Sequence, residues 1–153
     1  MNRRHLLQSI VSVTAAVALL VRRDDAANAQ SKAAKDTVYD PCAAACRACE
    51  KACIACNKHC DGMVKAGMTE HETSRRLSAD CRDLCAVSAK IVARRGPLSV
   101  ATCTACAEAC DRCGAECGKH PDMAEMKQCA ESCARCSKAC RAMITKLKGK
   151  QSA

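Results

Sequence analysis

The sequence predicts an all-α protein: an antiparallel up-down four-helix bundle with a cysteine-lined core. Three observations carry this prediction: cysteines recur at helical spacing, turn signals divide the chain into four similar segments, and ordinary core residues are scarce. Cysteine accounts for 17 of 153 residues, and the chain has no Phe or Trp. From Gln30 onward only 12 of 124 residues are Leu, Ile or Val, about half the level below which composition alone suggests disorder. Something other than apolar packing must hold the fold together.

A leader is expected to precede the bundle. Residues 1–29 contain the pair Arg3 and Arg4, an uncharged apolar run and a small-residue Ala-Asn-Ala exit before Gln30. The run has 12 residues and cannot span a bilayer, which needs about 20. The combination is typical of a cleavable secretory signal, and the arginine pair resembles the twin-arginine pattern. The sequence therefore predicts an exported, periplasmic protein.

The first predicted helix carries a complete stripe of thiols. A flexible segment is expected over 30–39, the bundle over 40–148 and a disordered tail over 149–153. Asp40 is read as the N-cap and Pro41 as the first helical residue. Six cysteines then follow at steps of 4, 3, 4, 3 and 4 residues, which places them on one helical face: Cys42, Cys46, Cys49, Cys53, Cys56 and Cys60.

The other three helices are divided by caps and breakers. Thr69 with Glu72 is read as a capping box that opens the second helix, whose inward face includes only two thiols, Cys81 and Cys85. Gly96-Pro97 separates the second helix from the third, which Gly118 ends. Pro121 is expected to begin the fourth helix and Gly149 to end it. The last two helices repeat the thiol stripe at Cys103, Cys106, Cys110, Cys113 and Cys117, and at Cys129, Cys133, Cys136 and Cys140.

Metal ligation explains these stripes better than disulfide bonding does. Thiols three or four residues apart within one helix meet disulfide geometry poorly, and a link within one turn closes almost no loop. Ligating thiols must be deprotonated, and a dry core does not tolerate unbalanced anions. Four thiolates around Zn2+ leave a charge of −2, whereas one Cu(I) per thiolate leaves none. Multiple Cu(I) ions are therefore the predicted metal, at between about half an ion and one ion per Cys.

Neutral ligands are expected to collect at one end of the bundle. The end of the first helix, the first connection and the third connection meet there. Thioether and imidazole groups are exchangeable ligands for Cu(I), so this end is predicted to admit the ion. The candidate entry ligands are His59, Met63, Met68, His120, Met123 and Met126, while His71 is expected on the surface.

The chain resembles the exported branch of the bacterial copper storage proteins. The resemblance runs from Asp40 to Met143 and is clearest in CIACNKHCDGM, at 53–63, and in the segment 113–140. It implies a four-helix bundle, commonly a tetramer, that stores Cu(I) on its core cysteines and could supply a copper enzyme or a copper chaperone. His59 and Met63 match the family's non-thiol ligands near the open end.

Other functions are weighed against this one. A general sponge for zinc or toxic metals would use the same thiols without copper preference. A thiol oxidoreductase is disfavoured because redox CxxC motifs usually occur once in an α/β fold, and here there are five such pairs. Without the leader, 21 basic residues face 14 acidic ones, a net charge of +7. No basic stripe or aromatic platform indicates nucleic-acid binding, so the expected protein is neither an enzyme nor a nucleic-acid binder.

Overall fold

The computed structural model describes residues 38–149, which form four α-helices without a strand among them. Residues 38–65 are helical and are called α1 here. A 3-10 turn at Thr69–His71 leads into α2, and two further helices complete the bundle: α2 is Glu72–Ala93, α3 is Ser99–Cys117 and α4 is Ala124–Lys148. The predicted all-α four-helix fold is confirmed. The predicted leader at 1–29, most of the segment 30–39 and the tail after Gly149 lie outside the described residues.

The start of the first helix differs from the prediction. Residues 38–40 are already helical, so Asp40 is not the N-cap and Pro41 is not the first helical residue. Val38 is buried, and Tyr39 packs partly buried against the core. Burial of these two side chains favours helix on the N-terminal side of the proline.

The connection between α1 and α2 also differs from the prediction. Gly67 turns the chain with φ of 92°, a conformation glycine adopts readily. Met68 is the N-cap of the 3-10 turn and His71 is the N-cap of α2, and neither side chain forms a capping hydrogen bond. Glu72 instead binds Arg75 at 2.8 Å and Arg76 at 2.7 Å. The predicted capping box is therefore wrong, because the Glu72 carboxylate finds cationic partners on its own helix.

The remaining helix ends agree only in part with the Gly and Pro residues that were predicted to mark them. The connection between α2 and α3 contains Gly96-Pro97, and α3 gives way to Gly118 as predicted. Gly149 is the C-cap of α4. Pro121 does not begin α4, however, because a turn follows it and the helix starts at Ala124.

The interior of the bundle is built mainly from sulfur. All seventeen cysteines are buried. Val38, Val92 and Met143 pack around the thiols at the end where α1 begins, and this apolar end is called the closed end here. None of the helices within 38–149 combines the length and apolar character that crossing a bilayer requires.

Polar contacts between helices surround this interior. Asn57 of α1 donates a hydrogen bond to the Arg75 carbonyl of α2 at 2.7 Å. Asp111 of α3 accepts a hydrogen bond from Ser137 of α4 at 2.6 Å and also pairs with Arg141. These contacts join α1 to α2 and α3 to α4 beside the thiols, which helps fix the register of the four stripes.

Two helical glycines provide a matched test of the packing. A Cβ added at Gly114 of α3 would lie 3.1 Å from the Cys133 Cβ, whereas one added at Gly62 would meet nothing within 4 Å. Gly62→Ala should raise the free energy of unfolding by about 0.5–1 kcal/mol, because alanine favours helix. Gly114→Ala should gain less or lose stability, because the new methyl crowds α4. Denaturant unfolding of the reduced protein measures both, and equal stabilisation would contradict the close approach of α3 and α4.

Candidate metal centre

Four helical stripes converge on the axis of the bundle. Because residues three and four positions apart share a helix face, the cysteines of α1, α3 and α4 all point inward. The structure leaves all seventeen as free thiols, and the closest pairs are Cys56–Cys117 and Cys85–Cys106, with sulfurs 3.6 Å apart. A disulfide requires about 2.05 Å. The sulfurs are thus too far apart for disulfide bonds, and the prediction that the cysteine stripes are buried along one axis is confirmed.

Sulfur contacts form one continuous network along the bundle. Every thiol has another sulfur within 4.0 Å, and the contacts join all seventeen, here called the thiol core. At the closed end Cys42 contacts Cys103 at 3.7 Å and Cys140 at 3.8 Å. At the other end Cys56 lies 4.0 Å from Cys60. An ion bound to one thiol therefore has a neighbouring thiol within reach at each step.

Several sets of four thiols are compact enough to hold one metal ion. In each set all sulfurs lie within 4.8 Å of one another. A metal–sulfur bond of about 2.3 Å, as for Zn2+, separates two ligands by at most about 4.6 Å, so neighbouring sulfurs can share an ion. The sets overlap: Cys42, Cys46, Cys103 and Cys140; Cys46, Cys106, Cys136 and Cys140; Cys49, Cys53, Cys81 and Cys133; Cys49, Cys81, Cys85 and Cys110; Cys53, Cys113, Cys129 and Cys133. This overlap favours bridged clusters over isolated sites.

The helix with few thiols presents hydroxyls instead. Ser74, Ser78 and Ser88 are buried on α2 and continue the stripe of Cys81 and Cys85 at steps of three and four. Leu77 and Leu84 are only half-buried on the flank of this face. The Ser88 hydroxyl donates to the Thr102 carbonyl of α3 at 3.1 Å. Neutral hydroxyls are poor ligands for soft metals, so α2 contributes more to packing than to ligation.

Protonation in the thiol core varies from residue to residue. Burial raises the pKa of Cys60 above that of a free thiol. The pKa of Cys110 is also raised, by hydrogen bonding with the Cys106 thiol first and with further thiols and burial after it. The pKa of Cys49 is lowered by hydrogen bonding with the Cys110 thiol first and with further thiols after it. Because ligating thiols must be deprotonated, ligation by the thiols with raised pKa must release protons.

A thioether lies directly against the thiol core at the end opposite the closed end. Met126 is fully buried, and its Sδ lies 3.5 Å from the Cys56 Sγ and 3.4 Å from the Cys60 Sγ. Among the sequence-predicted entry ligands, Met126 is thus already within the sulfur network. Met63, Met68 and Met123 are half-buried near the connections at the same end.

Three imidazoles gather at this end, which is called the imidazole end here. The His71 ring centroid lies 4.7 Å from that of His120 and 6.4 Å from that of His59. The prediction that His71 lies on the surface is wrong, because the residue is only 1% exposed. His71 precedes Ser74 by three residues, and Ser78 follows four later, so the stripe of α2 could be traced back to it in the sequence.

The chemistry of this arrangement is graded along the bundle axis. Imidazoles and the Met126 thioether lie at one end, buried thiols fill the middle, and valines with the Met143 thioether cover the closed end. Thiolates and thioethers select soft metals such as Cu(I), whereas imidazole also suits borderline divalent ions. Such a row of adjoining donors can hold several ions.

Comparison with known proteins agrees with this chemistry. The sequence model described as "Csp: Copper storage protein" matches residues 35–145. The uncharacterized cysteine-rich protein YhjQ of Bacillus subtilis (strain 168) is 42% identical over 45 residues, which cover 29% of this chain and 42% of that protein. The match thus spans less than half of that relative.

Two solved structures resemble the chain over most of their own length. The Cu(I)-bound copper storage protein BsCsp3 is 36% identical, with a TM-score of 0.60 and coverage of 67% of this chain and 94% of that one. A cytosolic copper storage protein from Streptomyces lividans, solved with five coppers, is 28% identical. Its TM-score is 0.67, and the match covers 74% of this chain and 97% of that chain.

Proposed function

This chain belongs to the copper storage protein family, and from that premise we propose that it stores several Cu(I) ions on the thiolates of its core without catalysing a reaction. The main support for this proposal is the continuous network of seventeen buried free thiols. All seventeen cysteines are proposed ligands: Cys42, Cys46, Cys49, Cys53, Cys56, Cys60, Cys81, Cys85, Cys103, Cys106, Cys110, Cys113, Cys117, Cys129, Cys133, Cys136 and Cys140.

Charge balance favours Cu(I) as the stored ion. The thiol core is shielded from water, where an unpaired anion is costly. One Cu(I) for each thiolate neutralises the core, and sulfurs that bridge two ions keep each ion coordinated. BsCsp3 binds Cu(I) in its solved structure, which supports the same ion here.

Entry is proposed at the imidazole end. Met126 contacts Cys56 and Cys60, so an ion held by its Sδ is beside the first thiols. His59, Met63, Met68, His120 and Met123 are proposed to deliver Cu(I) to that point as neutral, exchangeable ligands. The closed end has the Met143 thioether but no imidazole among the described residues, which leaves it less favourable for entry of an ion.

Two other functions fit the geometry less well. A general metal sponge would accept Zn2+ in the four-thiol sets, but adjacent sets would then accumulate negative charge. A thiol oxidoreductase needs an exposed, reactive thiolate, whereas both members of pairs such as Cys46–Cys49 and Cys133–Cys136 are 0% exposed.

Export and assembly are further parts of the proposal. The leader at 1–29, with Arg3 and Arg4, supports export to the periplasm by the twin-arginine route, whereas the Streptomyces relative is cytosolic. A homo-oligomer, a tetramer by family resemblance, is proposed because Ile54 and Val87 are each 49% exposed on outer faces. A copper enzyme or copper chaperone is the proposed recipient of the stored ions.

Anaerobic Cu(I) titration tests storage directly. The reduced chain should bind about 8–17 ions, between half and one for each of its 17 cysteines. Cys106→Ser should lower that capacity, while Ser88→Ala should leave it unchanged because Ser88 donates to a backbone carbonyl. Competition with a Cu(I) chelator, repeated in the presence of zinc, measures affinity and preference. Micromolar or weaker Cu(I) affinity, or displacement of Cu(I) by zinc, would contradict storage.

Loading should depend on pH in a defined direction. Thiols with raised pKa, such as Cys60 and Cys110, are protonated near neutral pH and must lose their protons to bind Cu(I). Apparent affinity should therefore rise with pH, by about tenfold per pH unit for each net proton released per ion. Titration in weak buffer with a pH indicator counts the protons. An affinity that does not change with pH would show that the ligands are already ionised.

Location is tested with paired leader variants. Arg3→Lys combined with Arg4→Lys should retain the protein in the cytoplasm, because the twin-arginine pathway reads that pair. Arg22→Lys combined with Arg23→Lys conserves the same charge elsewhere in the leader and should not affect export. Cell fractionation and the mass of the exported chain, expected to begin at Gln30, provide the readout. Equal export of both variants would exclude the twin-arginine route.

A further inference from the structure

The closed end of the bundle carries a local excess of positive charge. It is formed by residues 38–44, 91–102 and 142–149, which contain four basic residues and one acidic residue. At the imidazole end, residues 59–76 and 115–127 contain five basic and six acidic residues. The bundle is therefore polarised along its axis. The four cations of the closed end are all exposed and are called the basic cluster here: Arg94, Arg95, Lys146 and Lys148.

The dipoles of the helices do not account for the basic cluster. Cations are favoured at the C-terminus of a helix and anions at its N-terminus. Because α2 and α4 end at the closed end while α1 and α3 begin there, their dipoles oppose one another. The first turn of α3 contains no acidic residue, and within residues 38–149 neither Arg94 nor Lys146 has an ion-pair partner. The cations thus exceed what the helix ends require.

An exposed leucine lies at the same end. Leu98 is the N-cap of α3 and is 60% exposed, more than the other large exposed apolar side chains of the described residues. Pro97 beside it is also exposed. Proteins bind the surface of an anionic bilayer by combining these two features: an apolar side chain enters the boundary between headgroups and acyl chains, and cations contact the lipid phosphates.

The location of this surface favours a bilayer over a protein that receives copper. Entry of Cu(I) is proposed at the imidazole end, so a recipient protein docked at the closed end would be remote from the exchangeable ligands. A bilayer at the closed end leaves the imidazole end facing the aqueous phase. In addition, only eight residues, 30–37, separate the predicted leader from Val38, and eight residues span at most about 28 Å. A leader held in the membrane would keep the closed end near the bilayer surface.

We propose that the closed end binds peripherally to bilayers that contain anionic phospholipid, with the basic cluster on the lipid phosphates and Leu98 inserted at the interface. The choice of a bilayer rests on the proposed function, through the proposed entry end and the proposed export. The binding surface itself requires no metal. Attachment by this end holds the store at the membrane while its imidazole end stays accessible to Cu(I) in solution.

Vesicle co-sedimentation tests the proposal with the reduced, metal-free chain from Gln30, because Val38–Ala153 forms a compact unit by itself. The chain should bind vesicles of phosphatidylcholine with one-third phosphatidylglycerol, should not bind pure phosphatidylcholine, and should dissociate as ionic strength rises. Arg94→Gln combined with Lys146→Gln should lower the partition coefficient about 25-fold, at about fivefold for each cation near an anionic surface.

A matched variant separates the closed end from net charge. Lys58→Gln combined with Lys127→Gln removes two exposed cations near the imidazole end. Charges farther from the bilayer than a Debye length are screened, so this variant should change binding by less than about twofold. Equal loss in the two double variants would overturn the proposal, as would absence of binding to the anionic vesicles at low ionic strength.

Tryptophan probes locate the contact. The chain contains no Trp, so Leu98→Trp and Gln128→Trp each introduce one fluorophore, at the closed end and on the exposed surface near the imidazole end. Anionic vesicles should shift the emission of Leu98→Trp to shorter wavelength and leave that of Gln128→Trp unchanged, and the opposite result would overturn the proposal. Polyglutamate is the probe for an acidic protein partner, and binding to it without binding to vesicles would also overturn the proposal. Cu(I) capacity is titrated separately, so that failure of copper storage is distinguished from failure of membrane binding.

Discussion

The heptad spacing of small, ionisable thiols is the constraint on which the rest of this structure depends. Cysteine fills the interior positions that leucine or isoleucine would take in an ordinary bundle, and the chain from Gln30 onward has only 12 Leu, Ile and Val residues. The interior therefore gains little from apolar burial, although it is closely packed. Its sulfurs keep their ligating capacity because the pairs stay 3.6–4.0 Å apart as free thiols. Ligand binding that occurs only in the folded state adds directly to folding stability. The core cysteines contribute little apolar packing, but metal ions bound to them would compensate for that loss.

The second helix shows how such a core is kept in register. Ser78 and Ser88 occupy stripe positions that the other helices give to cysteine. The Ser88 hydroxyl donates to the Thr102 carbonyl of α3, and the Ser78 hydroxyl accepts a hydrogen bond from Asn57 of α1. Asn57 also donates to the Arg75 carbonyl of α2. A hydroxyl makes a directional hydrogen bond where a thiol makes a weak one. The α2 helix thus fixes the positions of its neighbours, at the expense of ligands on one side of the axis.

The sequence was sufficient for the fold and for the position of the thiols, because steps of three and four residues leave only one helical face for them. It was less reliable at helix ends, where a few local contacts decide the outcome. Glu72 pairs with Arg75 and Arg76 instead of capping, and α4 begins three residues after Pro121. His71 was misplaced because the stripe of α2 was recognised around Cys81 and Cys85 and was not followed back to the start of the helix. Serines at the same spacing continue the stripe through Ser74 to His71. Because serine is usually exposed, these positions were not recognised as part of a buried face.

The asymmetry of the two ends follows from the same pattern. At the closed end the stripes run into Val38, Val92 and Met143, of which only the Met143 thioether can ligate a soft cation. At the imidazole end they run into His71 and Met126, which place an imidazole and a thioether beside the thiol core. A thioether can bind a cation without losing a proton, whereas a buried thiol with raised pKa must first lose its proton. Under the proposed function, capture at the imidazole end and deprotonation in the thiol core become successive steps. The order of residues along each helix is then sufficient to give ion uptake a direction, without any moving part in the bundle.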